Sequence, residues 1–574
     1  MQYLSIIKII AVYLPSGLMT MYQVTKKTAS MLTRDGIRLD ADVYYPHDTT
    51  KESFPVLLMR QPYGRAIAST VVYAHPRWYA RHGYIVVIQD VRGRGTSEGE
   101  FRLFENEIED GYDTLTWVSQ LPDSNGRVGM YGFSYQGMTQ LYAAASKHPA
   151  LKTICPSMIA NDLYSDWAYE NGAFCYQLNL AWAIQLAAET ARLKGDLTAY
   201  KVLFLASRNL PLYDHPNIFT EALRKYIPSN FYYQWLNHPE NDEYWQNLSP
   251  KTHLKNVDLP MLHSGGWFDP YLRGTLNLYQ EMRAKSQFTQ YLIIGPWGHL
   301  PWGNKLGDRN YGDQANSPID ELQITWFNHF LKDIKNSQFE SSSLRLFEMN
   351  SNQWIEIDNL DNQNQIVYSL NSNGLNSVNT NSGKLLLIDN DSKNIEFEDI
   401  LVCDFWRATP SLGGHAVIPA GSFERSELDN RSDILTYTSE PLKEDLVIVG
   451  EIELEINCYA DSSSFDLCAV ISEVFPDGRV YNFSQGYIKV KAQQQTIKFT
   501  TQSTCIKIPK SHAIRLSLSV ASFPAYSLNL SRDDYGLSQL NLDGKILTLI
   551  VNSGRLIINN LELRTQNSEL RTDT

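Results

Sequence analysis

Six cysteines in 574 residues are too few, and too scattered, to build a framework of cross-links. Cys155, Cys175, Cys403, Cys458, Cys468 and Cys505 show no CxxC spacing, and most lie in apolar runs such as Leu467-Cys468-Ala469-Val470. A small apolar thiol belongs in a core, so buried free thiols are expected. No HExxH or other cluster of metal ligands is present, and neither a metal nor a cofactor is expected. Positive charge is also short. Lys and Arg number 50 against 63 Asp and Glu, a net charge of -13. That balance argues against nucleic acid or an anionic membrane as the main partner. No internal repeat points to a solenoid or a propeller. The apolar run Ile6 to Leu14 is short and broken by Lys8, with no basic leader or small-residue cleavage site. It is too short to span a bilayer and makes a poor signal peptide. Residues 1–24 are therefore expected to be a leader outside the fold, with Met19 or Met21 as alternative starts. A cytoplasmic location follows, with secretion left open.

What remains is a long chain with ordinary apolar content, 43%, and two or three domains as the starting expectation. Its organising stretch is Val128-Gly129-Met130-Tyr131-Gly132-Phe133-Ser134-Tyr135-Gln136-Gly137. An apolar strand runs into a tight turn bearing Ser134, and a helix-forming segment follows. Strand, serine turn, helix is the setting of a nucleophile elbow, in which glycines let strand and helix backbones nearly touch. The bland alternative is an ordinary turn serine.

Pro55–Arg60, Tyr84–Asp90, Val128–Gly132, Leu151–Met158, Leu259–Ser264 and Tyr291–Ile294 are near-continuous apolar runs separated by helical segments. That rhythm predicts a mostly parallel sheet covered on both faces, in which functional groups sit at the carboxyl ends of strands. Asp269 and His299 each follow such a run, as Ser134 does. The order Ser, Asp, His is that of α/β-hydrolases. In that chemistry His299 would take the proton of Ser134, and Asp269 would fix the imidazole tautomer. A turn aspartate before Pro270 and a loop histidine are the structural alternatives.

The strand rhythm stops between about 160 and 250. Phe174 to Leu193 reads as a long helix, and this insertion is expected to form a helical cap over the pocket. Trp167, Tyr169, Phe174 and Trp182 are its candidate pocket aromatics, with cap packing the equal alternative. Beyond about 340 the pattern alternates, as in Ile452, Leu454, Ile456 and Cys458 between Glu451, Glu453, Glu455 and Asn457. Such strands have one solvated face, and many of them with regular turns predict a β-sandwich of the jelly-roll kind. The Asn- and Ser-rich stretch 371–383 reads as a flexible surface loop.

Arg60-Gln61-Pro62-Tyr63-Gly64, Gln89-Asp90-Val91-Arg92-Gly93-Arg94-Gly95, Gly132-Phe133-Ser134-Tyr135-Gln136-Gly137, Gly266-Trp267-Phe268-Asp269 and Gly295-Pro296-Trp297-Gly298-His299 together resemble the signatures of the cocaine esterase/NonD hydrolases. Related groups are the α-amino acid ester hydrolases, glutaryl cephalosporin acylases and X-Pro dipeptidyl-peptidases. The resemblance runs from about residue 25 to 565. It implies an α/β-hydrolase (25–159 and 251–335), an inserted helical cap (160–250) and a C-terminal galactose-binding-like jelly roll (336–574). It further implies a triad of Ser134, Asp269 and His299. An oxyanion hole would come from the Tyr63 hydroxyl and the Tyr135 N–H. Amino acid ester hydrolases carry carboxylates just after the triad aspartate. Here Pro270-Tyr271-Leu272-Arg273 follows, which lowers the expectation of an α-amino acyl substrate, although Asp162, Asp166 or Glu170 of the cap could supply an acid. An extra N-terminal domain like that of X-Pro dipeptidyl-peptidases is not seen, which sets that activity second. The expected partner is a small ester or, less favoured, amide, with self-association left open. A degenerate hydrolase acting as a binding protein is the rival of another class.

Overall fold

The computed structural model describes residues 21–47, 53–66, 70–212, 220–357, 364–388, 397–491, 496–530 and 546–560. Residues 1–20 of the expected leader lie outside the described residues.

The first sheet is built from β1 (Gln23–Leu32), β2 (Arg38–His47), β3 (Phe54–Gln61), β4 (Ile85–Asp90), β5 (Ser124–Phe133), β6 (Leu151–Ser157), β7 (Met261–Phe268), β8 (Gln290–Gly298), β9 (Ser343–Glu348) and β10 (Gln353–Ile357). Their spatial order is β1-β2-β4-β3-β5-β6-β7-β8-β9-β10. From β4 through β9 every neighbouring pair is parallel, and antiparallel pairs occur only at the two edges. Strands β3, β4, β7 and β8 are buried along their whole length, which is why they read as apolar runs without alternation. Helix α1 (Tyr135–Ala145) follows β5 and is buried from Tyr135 through Ala144.

The sheet extends beyond the expected domain start at 336. Strands β9 and β10 continue it to residue 357, with β9 pairing in parallel on β8. These strands are short and mixed in polarity, so their local pattern resembles that of the strands beyond them.

The insertion holds helices α2 (Tyr176–Leu193), α3 (Leu197–Arg208), α4 (Glu221–Tyr226), α5 (Phe231–Asn237) and α6 (Glu243–Leu248). Trp235 and Trp245 are fully buried at its centre, their rings 5.4 Å apart. Helix α7 (Leu272–Lys285) then returns the chain to the sheet.

The C-terminal part is all-β. Its largest pairing joins Leu446–Ala460 to Leu547–Asn560 in antiparallel register, with alternate residues such as Ile452, Leu454, Ile456, Leu556 and Ile558 buried. Its core is continuous with Trp267, Phe268 and Leu272 of the parallel-sheet part, on either side of Asp269. Stretch 371–383 is not a free loop. Ser372 and Asn376 bond the buried Asp399 carboxylate, which also accepts from the Tyr437 hydroxyl. Side-chain amides and hydroxyls that look loop-like in sequence here satisfy one buried acid. Among the described residues no helix is long and apolar enough to cross a membrane.

Three parts of the chain meet at Glu170. Its carboxylate accepts from Tyr526 Oη (2.6 Å), His415 Nε2 (2.9 Å) and the Tyr487 N–H (3.2 Å) of the β-domain, and pairs with Arg273 of α7 at 3.2 Å. Beside it, Tyr487 stacks on Tyr526 at 3.9 Å and donates to Asp466 at 2.9 Å.

Burial pushes the Asp466 carboxyl up to about 6, against hydrogen bonds from Asn529 and Tyr487. A carboxyl whose folded pKa is raised favours the fold below its ordinary value near 3.8, and that contribution is lost as pH rises through about 6. Asp466→Asn is therefore expected to stabilise the protein at pH 8, by on the order of 1–3 kcal/mol, and to change little at pH 4. Thermal melts at the two pH values check this. Equal shifts at both would contradict it.

Candidate active site

Ser134 sits between β5 and α1 with φ 59° and ψ -127°, a left-handed conformation that a non-glycine residue adopts only when its surroundings force it. Two backbone bonds hold the turn, Ser134 N–H to Ser157 O (3.0 Å) and Met138 N–H to Ser134 O (2.9 Å). The flanking glycines have distinct reasons. Gly132 has φ 144°, and a Cβ there would lie 2.5 Å from Gln136 Cβ. A Cβ on Gly137 would lie 2.3 Å from Ile159 Cγ2 and 2.9 Å from Ser157 O. The second glycine thus sits three residues after the serine because that is where α1 crosses the end of β6.

Beneath the turn, Tyr135 Oη donates to Glu107 at 2.7 Å, and Glu107 pairs with Arg60 at 2.5 Å. These side chains are all buried. The Tyr135 side chain is therefore a foundation for the elbow. Its backbone N–H lies at the first helical position, where helix N–H groups have no partner within the helix.

Asp269 and His299 follow β7 and β8, adjacent strands in the sheet. His299 Nδ1 bonds Asp269 Oδ1 at 2.8 Å. Asp269 is fully buried, and burial pushes its carboxyl up from the ordinary value while the His299 contact pulls it down. The Phe133 ring, one residue before Ser134, lies 5.4 Å from the His299 ring. Among the described residues no hydrogen bond joins Ser134 to His299; catalytic hydrogen bonds often tighten only with substrate.

Tyr63 completes the constellation. Its backbone N–H is anchored on Gln61 Oε1 (2.9 Å), and Gln61 in turn donates to Asp90 (3.1 Å). Its hydroxyl accepts from Trp182 Nε1 at 3.1 Å. Burial pushes the phenol up to about 12, with Trp182, Arg94 and the Ser134 side chain pulling the other way. The phenol therefore stays protonated near neutral pH. With one lone pair taken by Trp182, its proton is free for an oxygen beside Ser134. Arg94 is buried, its guanidinium 3.9 Å over the Phe101 ring, and burial pulls it down to about 10. It places positive charge near both the Tyr63 and Tyr135 phenols.

The expected pocket aromatics divide. An aromatic wall runs from His299 to Tyr271 (4.9 Å), Trp167 (4.1 Å, stacked) and Trp182 (5.1 Å), and Trp182 closes it on Tyr63. Trp182 thus reaches the Tyr63 hydroxyl, and Trp167 packs between Trp182 and Tyr271. Phe174 does not join them. It is buried against Tyr169 and Tyr232, and its carbonyl accepts from the Ser527 N–H of the β-domain. Its place in a short hairpin (Tyr169–Glu170 with Ala173–Phe174) turns it into the interior of the insertion. Tyr169 likewise bonds Trp235 O (3.0 Å) within the insertion. His263 is a core histidine on Gln290, and burial pulls it down to about 4.

Three contributors escape sequence reasoning. Tyr271 packs edge-on against the His299 ring. Arg94 lies in the glycine-rich loop Arg92-Gly93-Arg94-Gly95, and its sequence setting does not mark its burial beside the Tyr63 and Tyr135 phenols. Gln502, in the β-domain, donates from Nε2 to Trp267 O (2.9 Å) and Asp269 O (3.0 Å), pinning the loop that carries the aspartate. Only Tyr271 carried a signal, an aromatic two residues after Asp269.

A strained serine, an Asp-paired imidazole and a neutral phenol together suit acyl transfer, in which charge develops on a carbonyl oxygen. Comparisons with known proteins agree with this chemistry. Residues 35–301 match the family model described as X-Pro dipeptidyl-peptidase (S15 family). Residues 338–555 match that of the X-Pro dipeptidyl-peptidase C-terminal non-catalytic domain. The chain is 28% identical over 533 residues to the cocaine esterase of Rhodococcus sp. (strain MB1 Bresler), covering 86% of this chain and 90% of that protein. An aminopeptidase structure from a marine-sediment Thaumarchaeota archaeon superposes with a TM-score of 0.77 at 21% identity, over 97% of this chain and 99% of the other. An α-amino acid ester hydrolase structure gives 0.74 at 20% identity, over 96% and 98%. Both superpositions extend over nearly the whole chain, so the overall fold is shared.

The elbow geometry yields a direct expectation. Gly137→Ala should force α1 away from β6, costing about 1–3 kcal/mol of stability. It should also slow labelling of Ser134 by a fluorophosphonate at least tenfold. A thermal melt and gel-based labelling read the two effects, and a variant that labels at the normal rate would refute the close approach.

Proposed function

We propose, for a chain that belongs to the cocaine esterase/NonD hydrolases and is therefore a serine hydrolase, that it cleaves a carboxylic ester through an acyl-enzyme formed on Ser134. The observations that carry this reading are the strained Ser134 turn, the His299–Asp269 bond at 2.8 Å and the Tyr63 phenol held by Trp182. In acylation, Ser134 Oγ attacks the ester carbonyl carbon and His299 Nε2 takes its proton. Asp269, bonded to Nδ1, holds the imidazole in the tautomer that leaves Nε2 free and stabilises the imidazolium once formed. The oxygen that becomes negative lies between the Tyr63 hydroxyl and the Tyr135 N–H. Both donors are fixed before substrate arrives, so little reorganisation accompanies the charge. Collapse of the tetrahedral adduct expels the alcohol, which leaves with the proton from His299. Water then repeats the sequence in reverse, with His299 as base, and releases the acid.

The likeness to the esterase over most of the chain favours an ester over an amide. The aromatic wall of Tyr271, Trp167 and Trp182 favours an apolar or aromatic acyl group, since flat apolar faces bury and stack such a group.

A panel of p-nitrophenyl acetate, butyrate and benzoate, an amino acid ester and Gly-Pro-p-nitroanilide tests the reading. Ser134→Ala should lower turnover of the esters by roughly 10³-fold or more. Tyr63→Phe should lower kcat by about 10²–10³-fold with a small change in KM, because the phenol donates mainly to the transition-state oxyanion. Trp182→Phe should cost less, about 3–10-fold, because it removes only the group that orients the phenol. A preference for the anilide would move the protein to the peptidase branch. No turnover and no labelling of Ser134 would leave a binding protein as the better account.

A further inference from the structure

The arginines packed around the elbow are paired, with one exception. Arg60 pairs with Glu107, Arg65 with Asp42 and Asp90, and Arg92 with Asp35 and Asp110. Arg94 is 1% exposed, and among the described residues it forms no ion pair. Its Nη1 donates to Leu186 O at 3.3 Å, its guanidinium lies 3.9 Å over the Phe101 ring, and its Nε has no hydrogen-bond partner. Glu189 faces it from the insertion, but that carboxylate is held by Arg192 at 2.8 and 2.7 Å. A guanidinium taken out of water without a counter-charge is costly.

The fold nevertheless holds it firmly. The Arg94 N–H donates to Val91 O at 3.0 Å, and Arg94 O accepts from the Ser97 N–H at 2.9 Å. Gly93 and Gly95, with φ of 70° and 57°, let the loop close on the Phe101 backbone and the Asp90 carboxylate, where a Cβ would collide. The charge so placed lies beside both oxyanion donors. Leu186 is one turn along α2 from Trp182, on the same face, and Trp182 donates to the Tyr63 hydroxyl at 3.1 Å. The Phe101 ring is 6.0 Å from that of Tyr135, the residue after Ser134. Burial pushes the Tyr63 phenol up, and Trp182 and then Arg94 draw it down. Arg94 also draws on the Tyr135 phenol, against burial and Glu107.

We infer that Arg94 is a positioning residue for acyl transfer: its unpaired guanidinium acts through Tyr63, strengthening that hydroxyl as a donor to the carbonyl oxygen while the oxygen becomes negative. This rests on the reading of Ser134 as nucleophile and Tyr63 as oxyanion donor. A neutral ester in its ground state offers the cation little, whereas the tetrahedral adduct offers a full negative charge in a site of low dielectric. An acid paired with Arg94 would cancel that field. The missing partner is therefore what makes the cation useful, and the cost falls on stability.

The test compares Arg94→Met with the unaltered protein on p-nitrophenyl butyrate. The variant should lose about tenfold or more in kcat with KM within about twofold, because the effect belongs to the transition state. It should melt at the same temperature or higher, since an apolar side chain replaces a buried unpaired charge. In a Tyr63→Phe background the same substitution should cost less than about threefold further, because the group it acts through is gone. An unchanged kcat, a loss carried by KM alone, or an undiminished loss in the Tyr63→Phe background would overturn the proposal. Should Arg94→Met not fold, Arg94→Gln, which is uncharged but can still donate to Leu186 O, is read by the same comparisons. Failure of both to fold would assign Arg94 to the fold and overturn the proposal as well. If the ester is not cleaved in a Ser134-dependent way, or Tyr63→Phe leaves kcat unchanged, it is the underlying ester-hydrolase reading that fails, so the two failures are distinguishable.

Discussion

The left-handed turn at Ser134 is the constraint around which the molecule is arranged. A residue other than glycine holds φ near 60° only when its neighbours leave no alternative. Here the neighbours are two backbone bonds, the crossing of α1 over β6 permitted by Gly137, and a buried base of Tyr135, Glu107 and Arg60. Each member of that base is out of water, and each finds a charged or polar partner, so loosening one leaves another buried and unpaired. The strain at the serine is thereby distributed over a sheet, a helix and an ionic foundation.

The rest of the site is supplied by parts far apart in the chain. The sheet presents Ser134, Asp269 and His299 just after the carboxyl ends of β5, β7 and β8. The insertion contributes Trp182, which donates to the Tyr63 hydroxyl, and Trp167, which stacks on Tyr271. The β-domain contributes Gln502 beneath Asp269 and the tyrosines and histidine around Glu170. Glu170 carries the larger electrostatic burden, since its four donors come from two other parts of the molecule. A carboxylate so placed makes the seam intolerant of sliding, because displacement strands a buried charge.

Much of this was legible in the sequence. Parallel strands buried on both faces leave continuous apolar runs, and the residue after each run falls at the functional edge of the sheet. That is how Ser134, Asp269 and His299 stand out. The alternating strands beyond 446 were equally plain, because one face meets water. What escaped was long-range. Strands 343–348 and 353–357 carry no mark of which sheet they join. Phe174 reads like its aromatic neighbours, yet a two-strand hairpin turns it inward. The bond from Trp182 to Tyr63 spans 119 residues, and that from Gln502 to Asp269 spans 233, so no local period reports them. Stretch 371–383 misled for a related reason. Its polar side chains are those of a solvated loop, but their partner is a buried aspartate that lies outside the stretch.

The pin from Gln502 to the Asp269 loop has a consequence for how the protein comes into being. A chain emerging from the ribosome presents Ser134, Asp269 and His299 while His415, Gln502 and Tyr526 are still to be made. These three side chains then exist without the contacts that seat the aspartate and close the seam at Glu170. The contacts beneath Asp269 and around Glu170 arrive only with the last domain, so a nascent or prematurely terminated chain carries Ser134, Asp269 and His299 without them.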